Sequence, residues 1–331
     1  MSLVRKISMA ALLAAAAFVG TSESFAEDKE LHLGTLAPRK SPWGKVFQAW
    51  QDEMASQGKG LTLKFHYGGQ QGDEEAMVSK MRSGQLAGAA ITSVGLSKIY
   101  KPILALQMPG LFTSWAKLDA AREAIKADAN KGFEDAGFTI LGYGDVGIAH
   151  VMSKGFPVKV PDDLKGKAPY MWSADEISPK LFQVIGGVTP VPLSVTEVLP
   201  KLNAGAVNVV NAPALAAEQL QWAPNLDHIN VRPSGFAIGA LVVKKSALDG
   251  LSEDQKRALM STGAAAAGVL TSEIRGKDAS AFGRLKKKMT AVEPSAEDVA
   301  KWQDVFKRTR EELKRGVFSP DLVTKLEGMA G

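Results

Sequence analysis

The chain has 331 residues, of which 45% are hydrophobic and 23% charged, with 40 Lys+Arg against 35 Asp+Glu and a net charge of +5. That apolar content excludes a mainly disordered chain, the length suits two domains, and so mild a positive excess gives no nucleic-acid footprint. Cysteine is absent, which excludes disulfides, thiolate metal sites, iron–sulfur clusters and cysteine nucleophiles.

Arg5 and Lys6 precede an apolar stretch of 14 residues from Ile7 to Gly20, then the polar run TSES and the triplet Ser24-Phe25-Ala26. This order predicts a signal peptide over 1–26, cleaved before Glu27, because the apolar stretch falls short of the roughly 20 residues that span a bilayer. Leu31 to Leu36 reads as a short strand. Ser41-Pro42 is a helix start, with a capping hydroxyl and proline at the first position. Trp43, Val46, Phe47, Trp50 and Met54 then recur at helical spacing as far as Gly58. Leu61 to Tyr67 alternates like a strand and runs into Gly68-Gly69, a helix follows over about 73–83, and 88–93 reads as a buried strand end. Strand–helix–strand–helix order is the mark of an α/β layered domain.

The run TILGYGDVG at 139–147 predicts a strand with glycines, and a second unit is expected to begin near Ile148. After a turn-rich link at 157–166 come a strand near 167–172, a helix near 176–185 and a strand at 188–193. A short helix at 196–203 and strands at 206–210 and 236–243 follow. Ser252 and Gln255 form a capping box, opening a helix that runs almost unbroken to Met289, with glycines at 263, 268, 276 and 283. Two further helices fit 295–315 and 320–328.

Gly142-Tyr-Gly144-Asp-Val-Gly147 matches G-x-G-x-x-G in form. A dinucleotide site needs those glycines to open a helix; here the motif leads into extended sequence, so they are read as serving a hinge or crossing strands. The four histidines, His32, His66, His150 and His228, are scattered, with no H-E-x-x-H, so no metal site is expected. No cofactor is expected and no G-x-S-x-G elbow is present. Asp162-Asp163, Asp175-Glu176 and Glu311-Glu312 read as solvated helix starts or faces. Nothing asks for catalysis, although a secreted hydrolase using distant carboxylates stays open.

Aromatic and amide residues at turn positions carry more. Trp43 sits at a helix start, Gln70-Gln71 follow a strand through two glycines, and Thr92-Ser93 end another. Tyr170 and Trp172 alternate around Met171, placing both rings on one strand face. Asn208 and Asn211 bracket Val209-Val210. In open α/β sheets ligands lie off the carboxyl ends of strands, so each of these residues reads as core, cap or cleft wall.

In its ordered blocks the chain resembles the periplasmic solute-binding proteins of tripartite ATP-independent periplasmic (TRAP) transporters, the DctP-type family. The blocks are LHLGTLAPRKSPWGKVFQAWQDEMA, LKFHYGGQQGDEEAMVSKMRSGQLAGA, VPDDLKGKAPYMW from Val160, GGVTPVPL from Gly186 and LNAGAVNVVNAP from Leu202. The resemblance implies a two-lobed α/β periplasmic binding protein fold with crossing hinge strands and a long helix spanning both lobes. Lobe 1 is expected over 27–147 plus about 238–275, and lobe 2 over 148–237 plus about 276–331. It further implies a non-enzymatic periplasmic protein that closes on a small organic solute and delivers it to a TRAP-type integral membrane permease, as a monomer or homodimer. A periplasmic carrier or sensor component for an apolar or lipid-like ligand is the alternative.

Most characterised family members place a ligand-pairing arginine in the strand after the Leu-Lys-Gly turn. Counting from Gly166, this chain has Tyr170 there. A guanidinium fork suits a planar anion and a ring does not replace it, so the solute is expected not to be a simple dicarboxylate but an aromatic or apolar organic compound. Arg39, Lys98 and Arg232 remain as substitute cations. The expected ligand-binding residues are Trp43, Gln71 and Ser93 in the first lobe, and Tyr170, Trp172, Asn211 and Phe236 in the second.

Overall fold

The computed structural model describes residues 29–57 and 59–330; the predicted signal peptide, 1–26, lies outside them. Parallel strands β1 (Lys29–Thr35), β2 (Leu61–His66) and β3 (Gly88–Thr92) alternate with helices α1 (Pro42–Ser56), α2 (Glu74–Ser83) and the short α3 (Ser93–Ser97). A 3-10 turn at Lys101–Gln107 leads to α4 (Trp115–Asp135) and to β4 (Phe138–Ser153). Then follow β5 (Tyr170–Trp172), α5 (Ser178–Ile185), β6 (Val191–Leu193), α6 (Val195–Asn203), β7 (Val209–Pro213), α7 (Ala214–Gln219), β8 (His228–Asn230) and β9 (Gly235–Lys244). The chain ends in α8 (Lys245–Asp249), α9 (Glu253–Lys288), β10 (Thr290–Val292), α10 (Ala296–Gly316) and α11 (Pro320–Ala330).

These elements form two compact units, the two-lobed α/β arrangement expected. Unit 1 runs to Ile99 and adds Asn130–Asp145 and Gly239–Arg275; unit 2 is Tyr100–Ala129, Val146–Ile238 and the chain from Gly276 onward. The chain therefore passes from one unit to the other inside α4, β4, β9 and α9. In unit 1 the strand order is β2-β1-β3-β9, with β9 antiparallel to β3. In unit 2, β4 pairs antiparallel with β7 and β8, β8 pairs parallel with β10, and β5 pairs parallel with β6.

Segment Tyr100–Ala129 groups with unit 2, whereas the sequence reading kept it in the first lobe. Its packing gives the reason. The Trp115 ring meets Phe236 edge-on at 4.7 Å, the Arg310 guanidinium donates to the Pro109 carbonyl at 2.9 Å, and Lys325 donates to the Ala124 carbonyl at 3.0 Å. These partners sit in sequence more than a hundred residues away, beyond the reach of any local pattern.

The core of unit 1 collects on α1. Ser41 caps this helix, its Oγ accepting from Gly44 N at 3.1 Å, and Phe47 stacks on Phe65 of β2 at 4.8 Å. Trp50 is fully buried and donates its indole N–H to Thr262 Oγ1 at 2.9 Å, so the polar edge of the largest core ring is satisfied. Unit 2 has a separate core, in which Trp302, Val305 and Phe306 of α10 pack with Val158, Leu164, Ile185 and Val209.

The expected capping box opens α9: Ser252 N donates to Gln255 Oε1 at 3.0 Å and Gln255 N to Ser252 Oγ at 3.2 Å. The helix then runs against β4 over glycine and alanine. A Cβ at Gly142 would stand 2.5 Å from the Ala267 Cβ, and one at Gly144 would stand 3.2 Å from the Leu270 Cβ. This close approach explains both the nucleotide-like glycine motif and the alanine tract at 264–267. In unit 2, Asp278 finishes the seam: its carboxylate accepts from Ile148 N at 2.8 Å and from Leu215 N at 2.9 Å. Gly147 lies beside it at φ 144, where a Cβ would meet the Asp278 carboxylate at 2.6 Å. Both the torsion and the space demand glycine. Gly147→Ala and Asp278→Ala are each expected to destabilise the protein by about 2 kcal/mol or more, read as a fall in the urea midpoint with the slope unchanged.

Candidate ligand-binding site

In unit 1 the carboxyl ends of β1, β2 and β3 release three loops on one side of a parallel sheet. Gly69 N donates to the Thr35 carbonyl at 3.1 Å and Gly68 N to the Ala37 carbonyl at 3.0 Å, which ties the loop after β2 to the loop after β1. Gln71 lies on this loop, half-exposed, its Oε1 accepting from Lys80 Nζ at 2.9 Å. Tyr67 donates its hydroxyl to Gln51 Oε1 at 2.7 Å, and the Arg39 guanidinium stands 6.0 Å over its ring. Burial, opposed by Arg39, pushes the Tyr67 phenol up to about 12, so it stays a neutral donor at ordinary pH.

The loop after β3 is held from beneath by a buried carboxylate. Glu74, 1% exposed at the start of α2, accepts from Thr92 N at 2.8 Å, Thr92 Oγ1 at 2.8 Å and Gly95 N at 2.9 Å. A Cβ at Gly95 would fall 2.7 Å from the Glu74 Oε2, so glycine makes room for the contact. Ser93 sits between these anchored residues. It is fully buried, and its Oγ has no hydrogen-bond partner among the described residues. A buried hydroxyl without a partner is costly, which marks it as a group that a ligand oxygen or nitrogen could satisfy. Trp43, in the first turn of α1, is buried and donates its indole N–H to the Asp145 carbonyl at 3.3 Å. That leaves its ring, and not its polar edge, for a wall. The Asp145 side chain, fully buried, pairs with Arg275 Nε at 2.6 Å.

In unit 2, Tyr170 and Trp172 stand at the two ends of the three-residue strand β5, two apart and on one face, paired in register with Val191 and Leu193. Both are half-buried. The Tyr170 ring meets Trp222 edge-on at 5.7 Å and 70°. Trp222 follows Gln221, whose φ of 61 turns the chain at the end of α7. Asn211 is exposed on β7, and its Oδ1 accepts from Ser234 Oγ at 2.7 Å. Asn208 braces β5 from the side, accepting from Ala168 N at 3.0 Å. Phe236 is buried against Trp115.

The structure thus gathers Trp43, Gln71 and Ser93 at the loop end of the unit 1 sheet, and joins Tyr170 and Trp172 on one face in unit 2. Asn211 lies on its own strand with Ser234, and Phe236 sits in the packing around Trp115. Sequence reasoning missed Glu74, Tyr67 and Trp222. Glu74 was legible only as an acidic residue in the first turn of a helix. Trp222 carried no local signal, because its place depends on a left-handed turn at a glutamine.

The basic residues flanking β5 have contacts of their own. Lys165 pairs with Asp162 at 2.9 Å, Lys167 lies 4.3 Å over the Phe156 ring, and Lys180 reaches Gln183 Oε1 at 3.4 Å. No group of three or more potential metal ligands occurs among the described residues.

Residues 33–315 match the family model for bacterial extracellular solute-binding protein, family 7 (DctP). Solved structures of similar fold include a TRAP periplasmic solute-binding protein from Ralstonia eutropha H16 with bound (S)-2-acetolactate. Its TM-score is 0.84 and its identity 19%, with 91% of this chain and 98% of that one covered. A TRAP periplasmic solute-binding protein from Sulfurospirillum deleyianum with bound succinate has a TM-score of 0.85 at 14% identity, covering 92% and 99%. The sugar acid binding protein DctPAm from Advenella mimigardefordensis, in complex with galactonate, has a TM-score of 0.85 at 16% identity, covering 92% and 98%. Comparison with curated protein sequences finds no match.

Glu74 makes the unit 1 loops sensitive to pH. Burial outweighs the hydrogen bonds from Thr92 and Gly95 and pushes its carboxyl up from 4.5 to about 7. An acid held more tightly protonated in the folded state stabilises fully below its ordinary range, and loses that contribution as pH rises through the folded value. His150 has the opposite sign, because burial holds its imidazole down to about 4. The two are separated by comparing wild type with Glu74→Gln. The stability of wild type relative to the variant is expected to fall by about 3 kcal/mol between about pH 4.5 and pH 7.5, measured by urea denaturation across that window.

Proposed function

Because the chain belongs to the DctP family of bacterial extracellular solute-binding proteins, we propose a specific solute class for a periplasmic protein whose general work the family supplies. That work is transport without catalysis: capture of a small organic solute outside the cytoplasmic membrane and delivery to a TRAP-type permease. The proposed solute is an organic compound with a flat aromatic or apolar face, and not a simple dicarboxylate.

The observation that carries the proposal is the environment of Tyr170. It occupies the position where the resemblance leads one to expect a carboxylate-pairing arginine, and it is packed edge-on to Trp222 beside Trp172 on the same strand face. Lys165, Lys167 and Lys180, the cations nearest in sequence, are turned to Asp162, Phe156 and Gln183. An aromatic pair fixed in this way offers ring faces and a phenol, and an unpaired carboxylate buried against it would be costly. Trp43, Gln71 and Ser93 in unit 1, and Asn211 and Phe236 in unit 2, are proposed as the remaining ligand-binding residues. A second reading rests on the organic acids bound by the similar structures: the solute is a carboxylate, and its cation comes from Arg39, Lys98 or Arg232.

Native mass spectrometry of protein purified from its own periplasm, followed by denaturing release, tests the choice. An aromatic or apolar compound is the expected result, and a co-purified dicarboxylate overturns it. With that solute in hand, Tyr170→Ala is expected to weaken binding about tenfold, and Tyr170→Phe by less than about threefold, read by calorimetric titration.

A further inference from the structure

Strands β1 and β2 bring together two histidines that the sequence separates by 34 positions. Their parallel register pairs His32 with Lys64 and Gly34 with His66, so both imidazoles project from the same face of adjacent strands. His32 Nδ1 lies 3.0 Å from His66 Nε2. On the far side of the same ring, His32 Nε2 is 3.0 Å from Glu30 Oε1. We propose that His32 and His66 form a binding site for a divalent transition-metal ion of the imidazole-seeking class, such as Zn2+, Ni2+ or Cu2+. In it, His32 Nδ1 and His66 Nε2 are the two protein ligands, water completes the shell, and Glu30 fixes the His32 ring from behind.

Three features support this site. First, two imidazole nitrogens bound to one ion, at about 2.0–2.1 Å with an angle between about 90° and 109°, stand about 2.9–3.4 Å apart. The observed separation of 3.0 Å lies in that range. Without metal the two nitrogens share a proton, one donating and the other accepting. An ion displaces that proton once the rings tilt off the shared line. Second, a carboxylate on the outer nitrogen of a metal-binding histidine is the usual device for fixing its tautomer and raising its basicity. Glu30 makes that contact, and the same oxygen also pairs with Lys64 at 3.4 Å, which draws that ammonium to the carboxylate, while Lys80 bonds Gln71 at 2.9 Å.

Third, the site is open. The His32 side chain is 40% exposed, and His66 is half-exposed beside it. Water can therefore occupy the remaining coordination positions. Two imidazoles and water select zinc, nickel or copper over magnesium and calcium, which want oxygen ligands. None of the residues proposed to touch the solute is a ligand here, so the site stands independently of the solute reading.

The test uses untagged, chelator-stripped mature protein near pH 7.5, titrated with Zn2+ while the ring Cε1–H signals of its four histidines are followed by NMR. The signals of His32 and His66 are expected to shift together and saturate at one equivalent, with those of His150 and His228 unmoved. His32→Asn and His66→Asn are each expected to weaken Zn2+ binding more than tenfold, and Glu30→Gln by a few-fold. Zn2+ should raise the melting temperature of wild type through mass action, and Mg2+ should not. Signals of His32 and His66 that stay in place at millimolar Zn2+ overturn the site, as does affinity retained within threefold in His66→Asn. The wild-type NMR titration decides the matter even where a variant fails to fold.

Discussion

The long helix α9 lies close against β4 because the strand presents glycine to it. Gly142 faces Ala267 with no room for another carbon, and Gly144 faces the Leu270 side chain with little to spare. Close packing of this kind gains dispersion contacts and excludes water, but it supplies no polar partners. The polar ties come just beyond the alanine tract: Asp145 pairs with Arg275 in unit 1, and Asp278 takes the amides of Ile148 and Leu215 in unit 2. Strand and helix both belong to both units, so each unit has its own anchor on the seam. Val146, Gly147, Gly276 and Lys277 are left between the anchors.

Buried carboxylates do similar work elsewhere in the fold. Glu74 and Asp278 each accept from backbone amides at the start of a short helix or at a strand bend. Such amides have no intrahelical acceptor, and burying them unpaired would cost about 1–3 kcal/mol each. The carboxylate removes that cost and accepts a desolvation cost in exchange, which is why burial raises the pKa of both groups. The loops at the carboxyl ends of the unit 1 strands are thus fixed by side chains from the helices below them. Ser93 is presented from a turn that is already rigid.

Much of this was legible in sequence, and the reasons for the failures are specific. The cap at Ser41, the helix from Trp43 to Met54 and the capping box of Ser252 with Gln255 are local signals, and the structure carries them as read. Helix α4 gives no clear helical period in the sequence. Its buried positions include Ala121 and Ala129 beside Leu118, Ile125 and Phe133, and alanine gives little contrast between a buried face and an exposed one. The grouping of 100–129 with unit 2 depends on Phe236, Phe306 and Arg310, which no window can see. The same holds within the candidate site. Tyr170 and Trp172 share a face because they are two residues apart on a strand, which sequence shows. Trp222 meets Tyr170 through a turn with positive φ at Gln221, which sequence does not show. The pairing of His32 with His66 is a matter of strand register, and register is invisible until the partner strand is known.

Ligand charge is the quantity on which the solute class turns. A carboxylate taken out of water without a paired cation costs several kcal/mol, whereas an aromatic contact returns about 0.5–1.5 kcal/mol beyond the area it buries. A phenol can donate one hydrogen bond, and it cannot neutralise a charge. Under the proposed reading the solute meets the ring faces and phenol of β5, while Lys165, Lys167 and Lys180 contact Asp162, Phe156 and Gln183. A carboxylate solute would need its cation from a different element. Arg39 and Arg232 are exposed guanidiniums on loops that follow β1 and β8, and both would have to give up solvent to serve. The difference between these two arrangements is a charge, so it sets the salt dependence of solute binding as well as its chemistry. Pairing through a guanidinium weakens as ionic strength rises, and stacking on Tyr170 and Trp172 does not.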